Sequence, residues 1–344
     1  MKLKSKLILT FLFIALIPTL TVGFIASYTA SSTIEAEVFS KLIAVRDTKK
    51  TQIENYFAER EGDIEVLSRT IQKTLDFNSP DALTRTAHDN HAYFEQFIKV
   101  YGYYDFFLID NNGEIFYTVT KEADYQTNSL TGRYNNSGLS TLFKQVTKDK
   151  SFGMSDFSRY APSNNEPAAF IALPLTNSEG VSVVVALQLS IEKINELMQQ
   201  RAGMGETGES YLIGSDLLMR SDSFLDPNGH SVAASFAGNV RDNGVDTEAA
   251  KLGVKGKSDN KVINDYNGNP VLSAFTPVDI HGMRWVVISE IDVAEAFSPI
   301  YALYWNIFII VVISVVGIVT VALVTSASIL KPLGGEPNEM QFIS

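Results

Sequence analysis

No cysteine occurs among the 344 residues, which excludes a disulfide framework, a Cys-ligated zinc or iron–sulfur site and any thiol nucleophile. Histidine is nearly as scarce: His88, His91, His230 and His281 leave little for a His-rich metal centre. Positive charge is short too, with 28 Lys and Arg against 39 Asp and Glu and a net charge of −11. A general nucleic-acid binder needs a basic face to meet phosphates, so that class is excluded. No Gly-x-Ser-x-Gly elbow, P-loop or His-Glu-x-x-His helix occurs, and nothing among the carboxylates marks an acid/base couple. The chain does not read as an enzyme, and neither a metal nor a cofactor is called for.

Charge is also missing from two long stretches, residues 7–28 and 301–328. A bilayer core needs about 20 apolar helical residues, so both are long enough to cross it. Pro18 and Gly23 are tolerated in membrane helices. Tyr301, Tyr304 and Trp305 open the second stretch as an interfacial aromatic belt. Lys2, Lys4 and Lys6 precede the first span and Lys331 follows the second, so the positive-inside rule puts both termini in the cytoplasm. A cleaved signal peptide is the competing reading of the first span, given the small residues around Ala26–Ala30, but the apolar run is longer than a typical signal core. The expected layout is a cytoplasmic N-terminus (1–6), a membrane helix (7–28), an acidic external domain (29–300), a second membrane helix (301–328) and a short cytoplasmic tail (329–344).

Within the external domain, apolar residues recur at helical spacing from Ile34 through Leu75, which predicts one amphipathic helix over 32–77. At 1.5 Å per residue it would span roughly 65 Å. Its apolar stripe needs a partner, either its own domain or a dimer seam. A second helix is expected over about 81–100. The pattern then switches to alternation: 104–110 and 114–120 around Asn111-Asn112-Gly113 form a hairpin signal. Ser137 is a candidate N-cap for a helix to about 147. Strands are expected at 152–160, 168–176 and 181–190, with a short helix at 191–200. A second set of strands follows at 210–213, 218–221, 262–266, 271–278 and 285–291, with loops and at most a short helix over 226–257. Two successive antiparallel sheets with flanking helices make an α+β fold, with one module over 81–200 and another over 204–292. Residues 293–300 read as helical, with Pro299 implying a kink or break.

Gly203-Met-Gly-Glu-Thr-Gly208 matches the dinucleotide pattern GxGxxG, but a helix precedes it and a strand follows, the reverse of what pyrophosphate binding requires. It reads as a connector between the two sheets. His88 and His91, three apart on a helix, lack an obvious third ligand. More informative is the loop after the hairpin, which crowds Tyr117, Lys121, Asp124, Arg133 and Tyr134 together, with Asp156 and Tyr160 at the end of the next strand. Aromatics with a few charges of both signs suit a pocket for a small charged metabolite. The alternative is a solvated loop with structural hydrogen bonds.

Lys121-Glu-Ala-Asp-Tyr-Gln-Thr-Asn128, Gly132-Arg-Tyr-Asn-Asn-Ser-Gly-Leu139, Ser155-Asp-Phe-Ser-Arg-Tyr-Ala-Pro-Ser163 and Gly203-Met-Gly-Glu-Thr-Gly-Glu-Ser-Tyr-Leu-Ile-Gly214 resemble the double Cache sensor domains of bacterial methyl-accepting chemotaxis receptors. Lys331-Pro-Leu-Gly-Gly-Glu-Pro337 looks like the opening of a HAMP linker, which this chain leaves about a dozen residues in. The resemblance implies a long N-terminal helix, two PAS-like modules of which the membrane-distal one binds the ligand, and a homodimer integral to the inner membrane with a periplasmic sensor. It implies a small-molecule ligand (an amino acid, organic acid or amine) and CheA/CheW-type cytoplasmic partners only where a full signalling domain is present. Many amino-acid-binding members carry Arg-x-Trp-Tyr after the first hairpin, where this sequence has Lys121-Glu-Ala-Asp124 and Arg133-Tyr134. Asp156 is the nearest counterpart of the acidic residue that contacts a ligand's amine. The expected function is the sensory portion of a chemoreceptor. The alternatives are the input domain of a histidine kinase or diguanylate cyclase, or a truncated membrane-tethered binding protein.

Overall fold

The computed structural model describes residues 3–176 and 182–330. The turn expected at 177–180 and the stretch from Lys331 to Pro337 lie outside them. The chain divides into two units, one of residues 41–292 and one made of the segments that flank it. In the flanking unit, α1 (Leu3–Thr74) begins and α9 (Val293–Ala296) and α10 (Ser298–Leu330) end the described chain. Both apolar stretches are helices long and apolar enough to cross a membrane. Pro18 lies inside α1, whereas Pro299 stands at the start of α10, where its missing N–H costs nothing.

In the central unit, the remainder of α1 buries the expected stripe. Ile53, Phe57, Ile64, Leu67 and Ile71 are at most 2% exposed, each burial stabilising by about 2 kcal/mol. The helix expected over 81–100 is two: α2 (Pro80–Asp89) and α3 (His91–Tyr101). They separate at Asn90, whose backbone (φ −92°, ψ 12°) leaves the helical region and whose side-chain amide donates to the Thr86 carbonyl at 2.8 Å.

The first module follows. Strands β1 (Tyr103–Asp110) and β2 (Ile115–Thr118) form the expected hairpin. Helix α4 (Gly138–Asp149) is capped by Ser137, whose hydroxyl accepts from the Ser140 N–H at 3.2 Å. Strands β3 (Gly153–Tyr160), β4 (Glu166–Thr176) and β5 (Ser182–Leu189) complete an antiparallel sheet ordered β2-β1-β5-β4-β3. Strand alternation sends Phe106, Leu108, Val185 and Leu187 to the α1–α3 side. It sends Phe107, Ile109, Phe170 and Ala186 to the α4 side.

Helix α5 (Ile191–Met198) leads through the glycine-rich connector to the second module. Gly203 (φ +76°) and Gly205 (φ +75°) take left-handed conformations there, so the GxGxxG match serves a turn. Strands β6 (Glu209–Gly214), β7 (Asp259–Asn264), β8 (Pro270–Ile280) and β9 (Met283–Asp292) form a second antiparallel sheet, ordered β6-β9-β8-β7. Two expectations need correction. Residues 218–221 are no strand and contribute only an isolated bridge between Met219 and Ile213. The stretch 226–257 holds three short helices, α6 (Val232–Ala237), α7 (Val240–Asn243) and α8 (Glu248–Val254), each N-capped by a side chain, from Ser231, Asn239 and Thr247.

Candidate functional site

The segment after β2 folds back along that strand. Ile115 donates to the Thr127 carbonyl at 2.9 Å and Gln126 to the Ile115 carbonyl at 3.0 Å. Lys121 (φ +54°) and Gln126 (φ +60°) turn the chain at either end, and Asp124 is carried between them into full burial. At the end of β3, the Tyr160 hydroxyl donates to Asp124 Oδ2 at 2.5 Å. Asp124 Oδ1 is buried without a partner. Burial holds the Asp124 carboxyl above its ordinary range, against the pull of the Tyr160 bond.

Two further carboxylates stand beside it. Asp105, opposite Gln188 in the β1–β5 register, is also fully buried. It accepts the N–H groups of Phe106 (2.7 Å), Val119 (3.0 Å) and Thr120 (3.1 Å) and the Thr120 hydroxyl (2.6 Å). Burial nonetheless pushes it up to about 6, with the Asp124 charge adding to the rise. Glu122 accepts the hydroxyls of Tyr104 (2.8 Å) and Ser163 (2.5 Å). A cavity of about 220 Å³ adjoins this cluster, lined by Tyr104, Ser163, Glu166, Pro167, Gln188 and Glu192 among others. The side-chain oxygen of Gln188 is buried and unpartnered as well. Among the described residues no Lys, Arg or His forms an ion pair with Asp105, Glu122 or Asp124. The arrangement offers acceptors and negative charge and lacks a counter-ion.

The seven residues expected at the site separate into groups. Asp124 and Tyr160 come together as the pair just described. Arg133 lies at the exposed rim, where it donates to the Ala123 carbonyl at 3.1 Å and lies over the Tyr134 ring at 4.4 Å. Lys121 is exposed, its N–H donating to the Thr118 hydroxyl at 2.7 Å. Tyr117 belongs to the opposite face of the sheet, packed on Phe94 and Phe106 with its hydroxyl 2.7 Å from His91 Nδ1. His88 meets Tyr117 ring to ring and approaches the Tyr125 hydroxyl at 3.3 Å, so both histidines are engaged with tyrosines.

Asp156 is the main departure. It pairs with Arg220, Oδ1 to Nε and Oδ2 to Nη2 at 2.8 Å each, and accepts the Trp285 indole N–H at 3.2 Å. Both partners belong to the second module, so the side chain joins the two modules instead of facing Asp124. The register irregularity between Ser155 and Ser158 lets Asp156 and Tyr160 serve different neighbours. Asp105 and Gln188 were not anticipated, and Glu122, part of the crowded Lys121–Asp124 run, was not among the seven. The available signal was one acid inside the apolar run of β1.

The fold has solved counterparts. It is similar to the ligand-binding domain of the Pseudomonas aeruginosa amino acid chemoreceptor PctB, at 17% identity and a TM-score of 0.51 over 76% of this chain and 98% of that one. It is similar to that of the Pseudomonas fluorescens chemoreceptor CtaA, at 16% identity and a TM-score of 0.53 over 79% and 99%. The periplasmic sensory domain of the Campylobacter jejuni chemoreceptor Tlp1 gives 14% identity and a TM-score of 0.55 over 77% and 99%. A search of curated proteins finds no match. The family model described as "Cache domain" (dCache_1) matches residues 29–300, and the chain therefore belongs to the double Cache family of sensor modules, which bind ligands and are not enzymes.

Proposed function

We propose that this chain is the sensory portion of a transmembrane chemoreceptor whose membrane-distal module, the first of the two, binds a small ligand through a protonated amine. The observation that carries this reading is the buried Asp124 Oδ1, left without a donor beside the Tyr160 hydroxyl and next to two more carboxylates. A buried acceptor without a donor is costly, and a cationic N–H supplies both the hydrogen bond and the charge. PctB is solved with L-Arg and CtaA with L-isoleucine, and both ligands carry an amine, which supports the same class here.

The two apolar helices would cross the inner membrane with both termini cytoplasmic and the sensor periplasmic, following the lysines that flank them. The receptor would work as a homodimer, with ligand binding biasing two arrangements of the pair and the second span carrying the difference inward. A HAMP linker would begin near Lys331.

The test is a thermal-shift screen of the full chain in detergent against amines, amino acids and organic acids. A ligand at 100 times its Kd stabilises by about 2.7 kcal/mol, a visible rise in Tm. Amine-bearing hits that vanish in Asp124→Asn and survive in Asp156→Ala support the assignment. Hits confined to acids without an amine overturn it.

A further inference from the structure

The second sheet carries a cross-strand row of polar side chains in an otherwise apolar layer. Its register pairs Glu209 on β6 with Glu290 on β9, Glu290 with Ser273 on β8, and Ser273 with Lys261 on β7. Glu209 and Glu290 are each 3% exposed and Ser273 is fully buried. The two carboxylates differ in what they are given. Glu209 accepts the Ser223 hydroxyl (2.8 Å), the N–H groups of Phe224 (3.0 Å) and Leu225 (3.3 Å), and the Tyr266 hydroxyl. Glu290 accepts one bond in the structure, from the Tyr211 hydroxyl to Oε2 at 2.8 Å. Its Oε1 is buried and unpartnered, and so is Ser273 Oγ, the hydroxyl of its register neighbour.

The surrounding charges do not favour an anion at Glu290. Strand β6 presents Glu209 and Tyr211, and the β7–β8 turn adds Asp265 and Tyr266. Behind Tyr266, the His230 ring lies 4.1 Å from the tyrosine ring, with its Nδ1 2.7 Å from Asp226 Oδ2. Lys261, the cation of the row, is bound to Glu248 of α8 at 2.8 Å. The other cation of α8, Lys251, is paired with Asp246 at 2.7 Å. A charged Glu290 is thus flanked by Glu209 and Asp265, with the Tyr211 and Ser273 hydroxyls as its donors. The Ser273 hydroxyl can bond Oε1 in either charge state, but only a neutral Glu290, donating from Oε1–H to Ser273 Oγ, does so without setting two carboxylate charges against each other across β6 and β9.

We propose that the second module is a sensory site in its own right whose ligand is the proton, taken up and released by the Glu290 carboxylate facing Ser273. Burial pushes this group up to about 7 against the pull of the Ser273 and Tyr211 hydroxyls, with Glu209 and Asp265 adding to the rise. From an ordinary 4.5 to about 7, the folded protein holds that proton roughly 300-fold more tightly than an exposed glutamate. Below neutral pH the row closes and is dry. Above it, the Glu290 anion draws in water or separates from Glu209, which loosens β9 from its neighbours. Glu290 lies two residues before the end of β9, and α9 and the apolar α10 follow directly in sequence. The strand that responds is therefore the one that leads into the second apolar helix. This site needs no ligand at the Asp124 cluster of the first module.

The test is infrared difference spectroscopy of the full chain in lipid nanodiscs across a pH titration. The expected result is a protonated-carboxyl carbonyl band that disappears with a midpoint near pH 7. It should be absent from Glu290→Gln and move to lower pH in Glu209→Gln, where the neighbouring negative charge is gone. The raised Asp105 and Asp124 carboxyls contribute bands common to both proteins, so the deciding signal is the component with a midpoint near pH 7: its absence from the wild type, or its presence undiminished in Glu290→Gln, overturns the proposal. Should Glu290→Gln fail to fold, the wild-type Tm profile decides. The folded-state value lies above the unfolded one, so this group's contribution is intact below about pH 4.5 and is lost as pH rises through about 7. A Tm that stops falling by pH 6, or a fall unaffected by Glu209→Gln, overturns it equally.

Discussion

Asp156 and Arg220 meet carboxylate to guanidinium through two bonds of 2.8 Å, joining β3 of the first sheet to the segment that follows β6 in the second. Arg220 is 2% exposed and also bonds Asp216 (3.0 Å) and the Leu218 carbonyl (3.0 Å), with Phe236 stacked on it at 5.1 Å. A buried pair of this kind is costly to break from one side, because the remaining charge stays buried without its partner. Arg220→Met should therefore destabilise the protein by about 3 kcal/mol. Asp156→Ala should destabilise it as well while leaving ligand affinity near the wild-type value. Chemical denaturation alongside a binding titration on each variant checks both halves. Loss of affinity in a stable Asp156→Ala protein would return this residue to the binding site.

In the proposed site, the carboxylates of the first module would tie binding to pH. Asp105 is raised from 3.8 to about 6 by burial, so its contribution to stability is intact below about pH 4 and lost as pH rises through about 6. Affinity for an amine should run the other way, rising toward about pH 6 and levelling off as the cluster gains its full negative charge. Tyr160→Phe removes the hydroxyl donor to Asp124, which should carry this affinity profile to higher pH and weaken binding about tenfold near neutrality. Calorimetric titration of the best amine hit between pH 5 and 8 measures both effects. An affinity independent of pH would mean that the ligand does not meet these carboxylates.

Much of this fold is legible from residue order, since strand alternation and helical periodicity are local signals. The hairpin at Asn111-Asn112-Gly113, the Ser137 cap and the long stripe from Ile53 to Ile71 all stand where their patterns place them. The break at Asn90 was less legible, because the helical period runs through it and one residue's dihedral angles decide the matter. The run 218–221 alternates like a strand, but Arg220 turns toward Asp156 and the segment makes a single bridge. The site shows the same limit. Asp124 and Tyr160 could be singled out by residue type, but only the folded chain tells Asp156 from them, since its partner lies 64 positions away.

Gly214 is required where it is by the same arginine. A Cβ added there would stand 2.2 Å from Arg220 Nη2 and 2.3 Å from Cζ, and the bonds to Asp156 and Asp216 prevent the guanidinium from yielding. Gly214→Ala should cost about 2 kcal/mol through overpacking. The double variant Gly214→Ala/Arg220→Met should cost clearly less than the sum of the single changes, because the second removes what the first collides with. Urea midpoints for the four proteins of this cycle give the coupling. Additive costs would show that the strain at Gly214 lies elsewhere.

The outer face of α1 bears on the proposed homodimer. Thr48, Thr51, Asn55, Ala58 and Gly62 are all exposed, while the stripe through Ile53, Phe57 and Ile64 is taken up by the domain's own core. Their spacing of three and four residues keeps them on one helical face, and a Cβ at Gly62 would meet nothing within 4 Å. Small side chains on such a face allow two α1 helices to approach closely. Because the chain has no cysteine, single substitutions report on this without background. Cysteines placed at 51, 55, 58 and 62 in turn should form disulfide-linked dimers in membranes under mild oxidation, since a parallel seam brings equivalent Cα atoms within about 7 Å. A cysteine at Lys50, about 120° around the helix from the centre of this face, should cross-link far less. Equal yields at all positions would point to random collision, and no cross-linking on this face would exclude α1 as the seam.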